Sequence, residues 1–516
     1  MSLVSVRSMG IDADGSERKR AGVPLAALLE GLVHPLHDAQ VLDLTQDSRL
    51  ATPGSAFIAC RGRNTHGISH AEQAIARGAR VVLWEPAPDV GVPDFPDGVI
   101  AYSIPDLGRR VGLLADRFFG EPSRALQLAG ITGTNGKTTC AYLLAQASDL
   151  VGKRSAYLGT IGFGRPGGDI SASALTTPDC VTLHRRIADA RDDGAETMCL
   201  EVSSHALDQG RHDGVRFDTA VLTNLSRDHL DYHGSLDAYG AAKARLFHVS
   251  GLNRCVLNFR DPFGQRLAEE LDSSVERVLF TTANDLWVLP QAGWIRVSEL
   301  RATAAGLTLQ VVSSWGTGTL HSPLRGEYNA ENLLAVLGVL LGWQVPLQTA
   351  LAALENCAPP PGRMQSFGGG VQPLVLVDYA HTPDALARLL DSARGLARGR
   401  LFCVFGCGGN RDPGKRPEMG AIAEGRADVV ILTDDNPRDE DSAGIIDQIQ
   451  AGMREPRNAR VIANRRDAIH YAISEAEPGD VVVIAGKGHE TVQIVAAERR
   501  LFSDADVVAD ALGVEA

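Results

Sequence analysis

The segment from Gly133 to Thr139 has the residue types of a phosphate-binding loop. Glycines let backbone N–H groups curl around phosphate oxygens, a lysine supplies a point charge, and a following hydroxyl can reach a magnesium ion. The generic motif has a glycine five residues before Gly136, where this chain has Ile131, so a simple glycine-rich turn is the alternative. The segment reads Gly133, Thr134, Asn135, Gly136, Lys137, Thr138 and Thr139.

Polar side chains follow the next two apolar segments of the chain. Glu201 ends one predicted strand, and His229 lies in the loop after another. Ends of adjacent parallel strands lie about 5 Å apart, so these two side chains could share one cation near the phosphate loop. Ser, Asn and Asp also favour caps and turns, which is the preferred interpretation for Asp228 and Asp231. Lys243, on a helix of small residues, would ordinarily be exposed to solvent.

The elements that must position these residues indicate a large α/β protein. A chain of 516 residues exceeds one ordinary core and favours about three domains. Apolar segments alternate with helical ones, most clearly after residue 359, which predicts a doubly wound and mainly parallel sheet. The apolar run 333–343 is too short for a membrane span and predicts a buried helix. Cys403 and Cys407 are expected to be strand and loop residues.

Charge and cysteine usage narrow the functional classes. The net charge of −13 argues against a nucleic-acid-binding surface. Eight scattered cysteines form no disulfide framework, and residues 1–20 lack the apolar core of a secretory signal. We expect a cytoplasmic protein, a monomer without membrane insertion. The predicted parts are a loose tail at 1–21, a small α/β domain at 22–124, a central nucleotide-binding domain at 125–358 and a C-terminal domain at 359–516.

Ten sequence blocks, in order, resemble the Mur ligases, in particular the UDP-N-acetylmuramoyl-tripeptide synthetases that add the third peptide residue. The resemblance covers nearly everything from about Asp47 onward. The blocks begin at the phosphate loop and continue as Glu201–His205, Asn224–His229, Asp231–Gly234, Gly326–Asn329, Pro361–Met364, Asp378–Pro383, Phe405–Asp412, Asp434–Arg438 and Gly486–Glu490.

The resemblance implies a UDP-sugar-binding domain, a central ATPase with a P-loop and mainly parallel sheet, and a Rossmann-like C-terminal domain that brings an amino acid. ATP would phosphorylate a substrate carboxylate, and the amine would then displace phosphate. Expected substrates are ATP, UDP-N-acetylmuramoyl-L-alanyl-D-glutamate and meso-diaminopimelate, with Mg²⁺ as cofactor. Besides the phosphate loop, the implied nucleotide-site residues are Asn329, Arg363 and His381, although Asn329 could instead cap the following helix.

The resemblance also assigns the remaining site residues. Lys137, Lys243, His229 and Glu201 would be catalytic, with Lys243 carbamylated. The implied metal ligands are Thr138, Glu201, His229 and that modified lysine. The UDP-sugar site would use Ser48, Asn64, Thr65, Thr176, Thr177, Ser203, Gln209 and Arg211. The diaminopimelate site would use Arg411, Asp435, Asn436, Pro437, Arg438, Gly486 and Glu490.

The tetrapeptide Asp435–Arg438 carries the prediction of specificity. Within this family it accompanies meso-diaminopimelate, whose distal end has an extra carboxylate that Arg438 and Arg411 can meet, while Glu490 can accept from the distal ammonium. The plain alternative is an Asp-, Asn- and Pro-rich turn. Three other functions stay open: the L-lysine-adding variant, folylpolyglutamate synthetase, and a regulatory P-loop protein that makes no bond.

Overall fold

A computed structural model describes residues 18, 20–37, 39–62, 65–173, 175–283, 292–303 and 305–514. The chain divides into two compact units. The first comprises residues up to 130, 152–220 and 245–253, and the second comprises 131–151, 221–244 and 254 onward. Of the predicted tail, only Arg18, Arg20 and Ala21 are described, and the two arginines pair with Asp193 and Asp189. The rest of the tail lies outside the described residues.

The first unit begins with a four-stranded parallel sheet. Its two central strands are nearly continuous apolar segments, as expected for parallel strands buried on both faces. Two apolar clusters fill its core. The strands are Asp43–Thr45, Ser55–Ala59, Val81–Trp84 and Ile100–Ser103. A two-stranded ribbon of Val23–Pro24 and Gln40–Val41 precedes it, and the helices are Leu25–Leu28, Ala71–Ala76 and Val111–Phe118.

The remainder of the first unit carries the strand that ends at Glu201. Thr197–Glu201 pairs in parallel with Ser155–Leu158. Helix Cys180–Asp192 begins at Asp179, whose carboxylate accepts from Thr182 N–H as an N-cap. Strand Gln127–Thr132 begins in this unit and ends in the second, as does Thr219–Leu222. Short strands Phe163–Gly164 and Ile170–Ser171 and helix Ser204–Asp208 complete it.

The second unit opens on helix Lys137–Leu150, which directly follows the phosphate loop. Parallel strands Arg254–Asn258, Glu276–Thr281 and Gly293–Thr303 continue into an antiparallel meander of Gly306–Ser313 and Gly316–Ser322. The apolar run 333–343 lies in the buried helix Tyr328–Gly342 and its C-cap Trp343, which confirms the prediction. Among the described residues, none of the helices has the length and apolar character to cross a membrane. The other helices here are Leu230–His233, Leu236–Ala244, Pro262–Glu270 and Leu347–Glu355.

The C-terminal part of this unit is a six-stranded, doubly wound sheet, which confirms the predicted architecture. Only its first strand runs antiparallel. Apolar clusters cover both faces. In spatial order the strands are Gln365–Gly368, Leu374–Asp378, Val481–Ala485, Leu401–Phe405, Val429–Leu432 and Arg460–Val461. The helices are Pro383–Arg394, Lys415–Arg426, Ser442–Gln450, Arg465–Glu475 and Asp504–Leu512.

One connection of this sheet confirms a sequence expectation. Cys403 lies in a strand and Cys407 in the loop after it, as predicted. The proline-rich segment 358–362, which precedes the sheet, contains no helix or strand, because proline fixes φ and lacks an N–H donor. The register aligns Asp378 with Ala485, so the loops that follow these strands emerge at the same edge. That edge is where ligands bind in open α/β sheets.

A buried ion pair attaches the last helix to this edge. Arg465 donates to both carboxylate oxygens of Asp504 at 2.7 and 2.8 Å, and both side chains are fully buried. The same guanidinium donates to the carbonyls of Asp434 and Ala485. Removing one partner leaves an uncompensated buried charge.

We therefore expect Asp504→Asn to lower the free energy of unfolding by about 3–5 kcal/mol, measured by urea denaturation. The matched control is Glu498→Gln, which breaks the solvent-exposed pair with Arg500 and should leave the midpoint unchanged. Equal shifts for both variants would contradict the account.

Candidate active site

The phosphate loop adopts a backbone that requires glycine at two positions. Gly133 and Gly136 have φ angles of 148° and 84°. A Cβ at Gly133 would lie 1.8 Å from Thr223 Oγ1, and one at Gly136 would lie 2.3 Å from Asn332 Oδ1. Side chains cannot occupy these spaces without displacing their neighbours. The close packing and the helix that follows favour a phosphate cradle over a simple glycine-rich turn.

We expect Gly136→Ala to weaken ATP binding by at least about tenfold, because the added methyl group strains the loop that would hold the phosphates. Calorimetric titration with ATP measures this dissociation constant. Gly425→Ala is the control, since a Cβ there meets nothing within 4 Å. An unchanged ATP affinity in Gly136→Ala would refute the predicted role of the loop.

Residues after strand Thr219–Leu222 hold the loop from the side. Thr134 N–H donates to the carbonyl of Asn224 at 2.8 Å, and Asn135 N–H donates to Asn224 Oδ1 at 3.0 Å. In return, Ser226 N–H donates to Thr134 Oγ1. The Asn224 block noted in the sequence therefore shapes the loop itself.

Two lysines meet at the carbonyl of Gly133. Lys137 Nζ donates to it at 2.9 Å and to the carbonyl of Thr134, and Lys243 Nζ donates to it at 2.7 Å. Lys243 is buried and lies 4.1 Å from the centroid of the Tyr239 ring. The ordinary expectation of a solvent-exposed helix lysine is therefore wrong. Burial lowers the pKa of Lys243 well below its usual value, and nearby Lys137 lowers it further while Asp228 opposes the shift.

Asp228 lies at the centre of a cationic cluster, a role that the turn interpretation missed. Its backbone neighbour His229 donates N–H to Asp228 Oδ1, which is the expected local turn bond. Burial raises the pKa of Asp228, but nearby cationic groups outweigh burial and the net pKa is lowered. The carboxylate therefore stays ionised. The groups that lower it are His229, Lys415 and Lys137, together with His381 in its protonated form at low pH.

His229 and Glu201 differ in burial and in the groups that they contact. His229, in a left-handed conformation with φ of 54°, immediately precedes helix Leu230–His233, and its Nε2 lies 3.2 Å from Asp228 Oδ2. Glu201, in the first unit, is fully buried. Its carboxylate accepts from Tyr157 Oη at 2.6 Å and from Thr160 N–H and Oγ1. Within the described parts of the chain, no group of three His, Cys, Asp or Glu side chains is arranged to hold a metal ion.

The predicted nucleotide residues also surround the loop. Arg363 donates Nη2–H to Thr138 Oγ1 at 2.9 Å, and its guanidinium lies 4.6 Å from the Tyr379 ring centroid. Asn329 does not cap its helix, which begins at Tyr328. Its amide donates to the carbonyl of Arg325 and accepts from Asn332.

His381 is held by its ring nitrogen Nδ1, 2.8 Å from the carbonyl of Tyr379. Burial, reinforced by nearby Lys415, lowers the pKa of His381 to about 4, although Asp228 opposes the shift. The imidazole is therefore neutral at physiological pH. A neutral ring fits a position beside a nucleoside better than an additional charge, because several cations already surround this loop.

Four predicted UDP-sugar residues form one hydrogen-bonded group in the first unit, and the fifth, Thr176, contacts Thr160. Thr177 Oγ1 accepts from Ser203 N–H, and Arg211 donates to the carbonyl of Thr177 at 2.8 Å. Arg211 also donates to Gln209 Oε1, and Thr176 Oγ1 lies 3.0 Å from Thr160 Oγ1.

Two further UDP-sugar predictions, Ser48 and Thr65, lie in the N-terminal part of the first unit. Ser48 donates to Gln73 Oε1 at 2.6 Å, in a short 3₁₀ turn that Asp47 caps. Thr65 is exposed. Asn64 lies outside the described residues, so its predicted role is untested by the structure.

The predicted amino-acid site gathers at the carboxyl edge of the C-terminal sheet. Asn436 Nδ2 donates to Glu490 Oε2 at 2.9 Å, and Arg438 donates Nη1–H to the carbonyl of Gly409. Arg438 has φ of 52°, and burial lowers its pKa, reinforced by neighbouring Arg411. Arg411 itself is exposed.

The remaining residues of this site set its backbone. Gly486 has φ of 118°, and a Cβ there would lie 2.5 Å from Asp435 Oδ2. The carbonyl of Pro437, a buried residue, accepts from Glu440 N–H. Close packing of this kind indicates a shaped site and disfavours a loose turn. Sequence reasoning missed Lys487 and Tyr379, although both lie inside quoted motifs.

A glycine-dependent loop followed by a helix, and a closely packed group of Asn436, Arg438 and Glu490 at the carboxyl edge of the C-terminal sheet, are typical of a nucleotide-dependent enzyme class. Three family models match in order: the Mur ligase family catalytic domain at residues 43–106, the Mur ligase middle domain at 131–340, and the Mur ligase glutamate ligase domain at 362–488. The chain belongs to the Mur ligase family and has its three-domain architecture.

Individual relatives match over nearly the whole chain. The UDP-N-acetylmuramoyl-L-alanyl-D-glutamate--2,6-diaminopimelate ligase of Chromobacterium violaceum is 47% identical, over 94% of this chain and 96% of its own. The ligase of the same name from Xanthomonas oryzae pv. oryzae is 47% identical, over 95% and 97%. A solved structure with that name is 34% identical, with a TM-score of 0.65 over 95% of this chain and 99% of the other.

Proposed function

We propose that this chain is an ATP-dependent ligase that adds meso-diaminopimelate to UDP-N-acetylmuramoyl-L-alanyl-D-glutamate in peptidoglycan precursor synthesis. One observation carries the proposal: the second unit contains both a phosphate loop, with buried Lys243 on its carbonyl, and the Arg438 and Glu490 site. The names of relatives that are 47% identical over nearly their full length support it.

The reaction would proceed in two balanced steps. A carboxylate oxygen of the UDP-sugar peptide attacks the γ-phosphorus of ATP, which releases ADP and gives an acyl phosphate. The amine of diaminopimelate then attacks the acyl carbon, losing a proton and expelling inorganic phosphate as the amide forms. Two anions must meet in the first step, so Lys137 reduces the repulsion between them. Arg363, already bonded to Thr138, would contact the phosphates and exclude water from the intermediate.

The predicted magnesium ligands have partly suitable chemistry. Thr138 offers a hydroxyl oxygen in the phosphate loop and Glu201 a carboxylate, the oxygen donors that Mg²⁺ prefers. His229 offers an imidazole, and Lys243 would contribute only as a carbamate. Bound Mg²⁺ would neutralise phosphate charge during transfer.

Lys243 has the properties that carbamylation requires. An uncharged amine attacks CO₂, giving N6-carboxylysine and releasing one proton. Burial lowers the pKa of Lys243, which favours that uncharged amine. The product is an anion placed beside Lys137, so a charge attraction forms where the uncharged amine had none. We assign the modified side chain a role as metal ligand.

The carboxyl edge of the C-terminal sheet would bind an amino acid that carries an ammonium group and a carboxylate at each of its two ends. Arg438 and Arg411 would meet carboxylates, and Glu490 would accept from an ammonium group. Asp435, Asn436, Pro437 and Gly486 shape this site. L-lysine lacks the distal carboxylate and would leave an arginine without its partner, which disfavours the lysine-adding alternative.

The remaining assignments follow the family. We place the UDP-sugar at the first unit, on the group of Thr176, Thr177, Ser203, Gln209 and Arg211 with Ser48, Asn64 and Thr65. The domain boundaries at 22–124, 125–358 and 359–516 stay proposals, as do a monomeric state and a cytoplasmic setting. Eight free thiols fit a reducing compartment.

Oxygen-isotope transfer tests the acyl-phosphate route. With ¹⁸O in the carboxylates of the UDP-sugar dipeptide, one ¹⁸O atom should appear in the phosphate released, measured by mass spectrometry. If the protein were a folylpolyglutamate synthetase, it would not turn over this UDP-sugar dipeptide. If it were a regulatory P-loop protein, it would release no phosphate with any amino acid. Phosphate without the label would reject the intermediate.

A further inference from the structure

Lys487 is a buried ammonium group that none of the assignments above uses. Its side chain is fully buried between Gly486 and Gly488. Nζ donates to three acceptors: Glu490 Oε2 at 2.8 Å, Asn436 Oδ1 at 3.1 Å and the carbonyl of Val492 at 2.8 Å. An ammonium group has three N–H donors, so these contacts satisfy it completely.

The contact with Glu490 compensates the charge of Lys487, which would be costly to bury alone. Lys487 has no exposed surface, and only a carboxylate partner makes such a position tolerable. The bonds from Lys487 and Asn436 both fall on Oε2 of Glu490. The carboxylate is thereby held in one orientation, with Oε1 as the oxygen left to accept from a ligand.

The same ammonium fixes the amide of Asn436. Oδ1 of Asn436 receives Lys487 Nζ and the backbone N–H of Ile494 at 2.9 Å. Two donors at one atom require it to be the oxygen, so Nδ2 must face Glu490. Without the Lys487 ammonium, the Asn436 amide would be free to rotate. Oε2 of Glu490 would then lose its bond from Asn436 Nδ2–H.

We propose that Lys487 is a positioning residue for the amino-acid substrate, acting through Asn436 and Glu490. The inference rests on the proposed function, because it assumes that Glu490 binds the distal ammonium of a diamino acid. Lys487 also bonds to Val492 in the hairpin Val492–Val495 and Glu498–Leu501, whose Gln493 donates to the carbonyl of Asp435. The Lys487 side chain therefore contacts both the hairpin and the pair of Asn436 and Glu490.

The test is steady-state kinetics of Lys487→Met, an unbranched apolar replacement of similar length. We expect KM for meso-diaminopimelate to rise at least about tenfold, with kcat within about threefold and KM for ATP and the UDP-sugar within about twofold. Lys153→Met, on a lysine that bonds to Gln127, should leave every constant unchanged. Lys487→Gln, which keeps a donor, is measured in parallel in case the first variant does not fold.

A double-mutant cycle with Glu490→Gln separates positioning from general destabilisation. If Lys487 acts through Glu490, the double variant should bind diaminopimelate no more weakly than Glu490→Gln alone. Additive losses, or parallel increases in KM for all three substrates, would overturn the inference.

Trapping of the acyl phosphate with hydroxylamine reports the first step without diaminopimelate. If the wild-type enzyme forms neither hydroxamate nor product, the proposed function is wrong. If the wild-type enzyme turns over normally and KM for meso-diaminopimelate is unchanged in both Lys487 variants, only the inference about Lys487 is wrong.

Discussion

Lys243→Met is expected to reduce kcat/KM by at least about 10³-fold, because it removes a predicted metal ligand from the site of phosphoryl transfer. The wild-type amine lies buried, 2.7 Å from the Gly133 carbonyl, with its pKa lowered chiefly by burial. Methionine fills the same volume without the nitrogen. Phosphate release with saturating ATP and both other substrates measures the loss.

Two observations distinguish a carbamate from a structural role for Lys243. Wild-type enzyme equilibrated with ¹³C-bicarbonate should show a carbamate carbon resonance that is absent from Lys243→Met. ATP binding by calorimetry should change far less than kcat, since Lys137 and the loop remain. Full activity in the variant would refute the assignment, as would an unmodified amine in active enzyme.

Arg438→Met is expected to raise KM for meso-diaminopimelate about 10²-fold or more, because a bidentate partner of the distal carboxylate is lost. The guanidinium is held by the carbonyl of Gly409 at 2.8 Å, which fixes its direction. Turnover with L-lysine, which lacks that carboxylate, should hardly change. Discrimination between the two amino acids therefore collapses in this variant.

The matched control for Arg438 is Arg499→Met, on the exposed strand of the nearby hairpin. It should leave KM for both amino acids unchanged. If Arg438→Met weakens lysine and diaminopimelate use equally, the residue contacts a group that both share, and the distal carboxylate must bind elsewhere.

The secondary structure around the site was largely predictable from sequence. The alternation of apolar and helical segments predicted after residue 359 is found in strands Leu401–Phe405 and Val481–Ala485 and helix Pro383–Arg394. Continuous apolar segments mark strands buried on both faces, and proline at the first helical position marks a helix start. These signals are local, so they need no knowledge of what packs against them.

Site residues were predictable where the motif itself specifies the backbone. Gly133 and Gly136 are examples, because only glycine tolerates those φ angles and contacts. The burial of Lys243 was not predictable, since it depends on packing around Tyr239 and the Gly133 carbonyl. Composition alone favours an exposed lysine, and only the resemblance indicated otherwise.

Pairings between distant residues were beyond sequence reasoning. Asp228 acquires its role from charges that include Lys415, more than 150 positions away in the chain. Lys487 joins Asn436 to Glu490 through contacts that the folded sheet alone creates. A single sequence shows the residue types but not which charges meet.

The central claim is most directly tested by phosphate release from the purified protein with ATP, Mg²⁺ and UDP-N-acetylmuramoyl-L-alanyl-D-glutamate. Release is compared between meso-diaminopimelate and L-lysine as the added amino acid, and the product masses are measured by mass spectrometry. The account predicts release that depends on diaminopimelate, with a product of the tripeptide mass. Release with lysine alone would keep the ligase and contradict the role of Arg438. No release with either amino acid would contradict the proposed function itself.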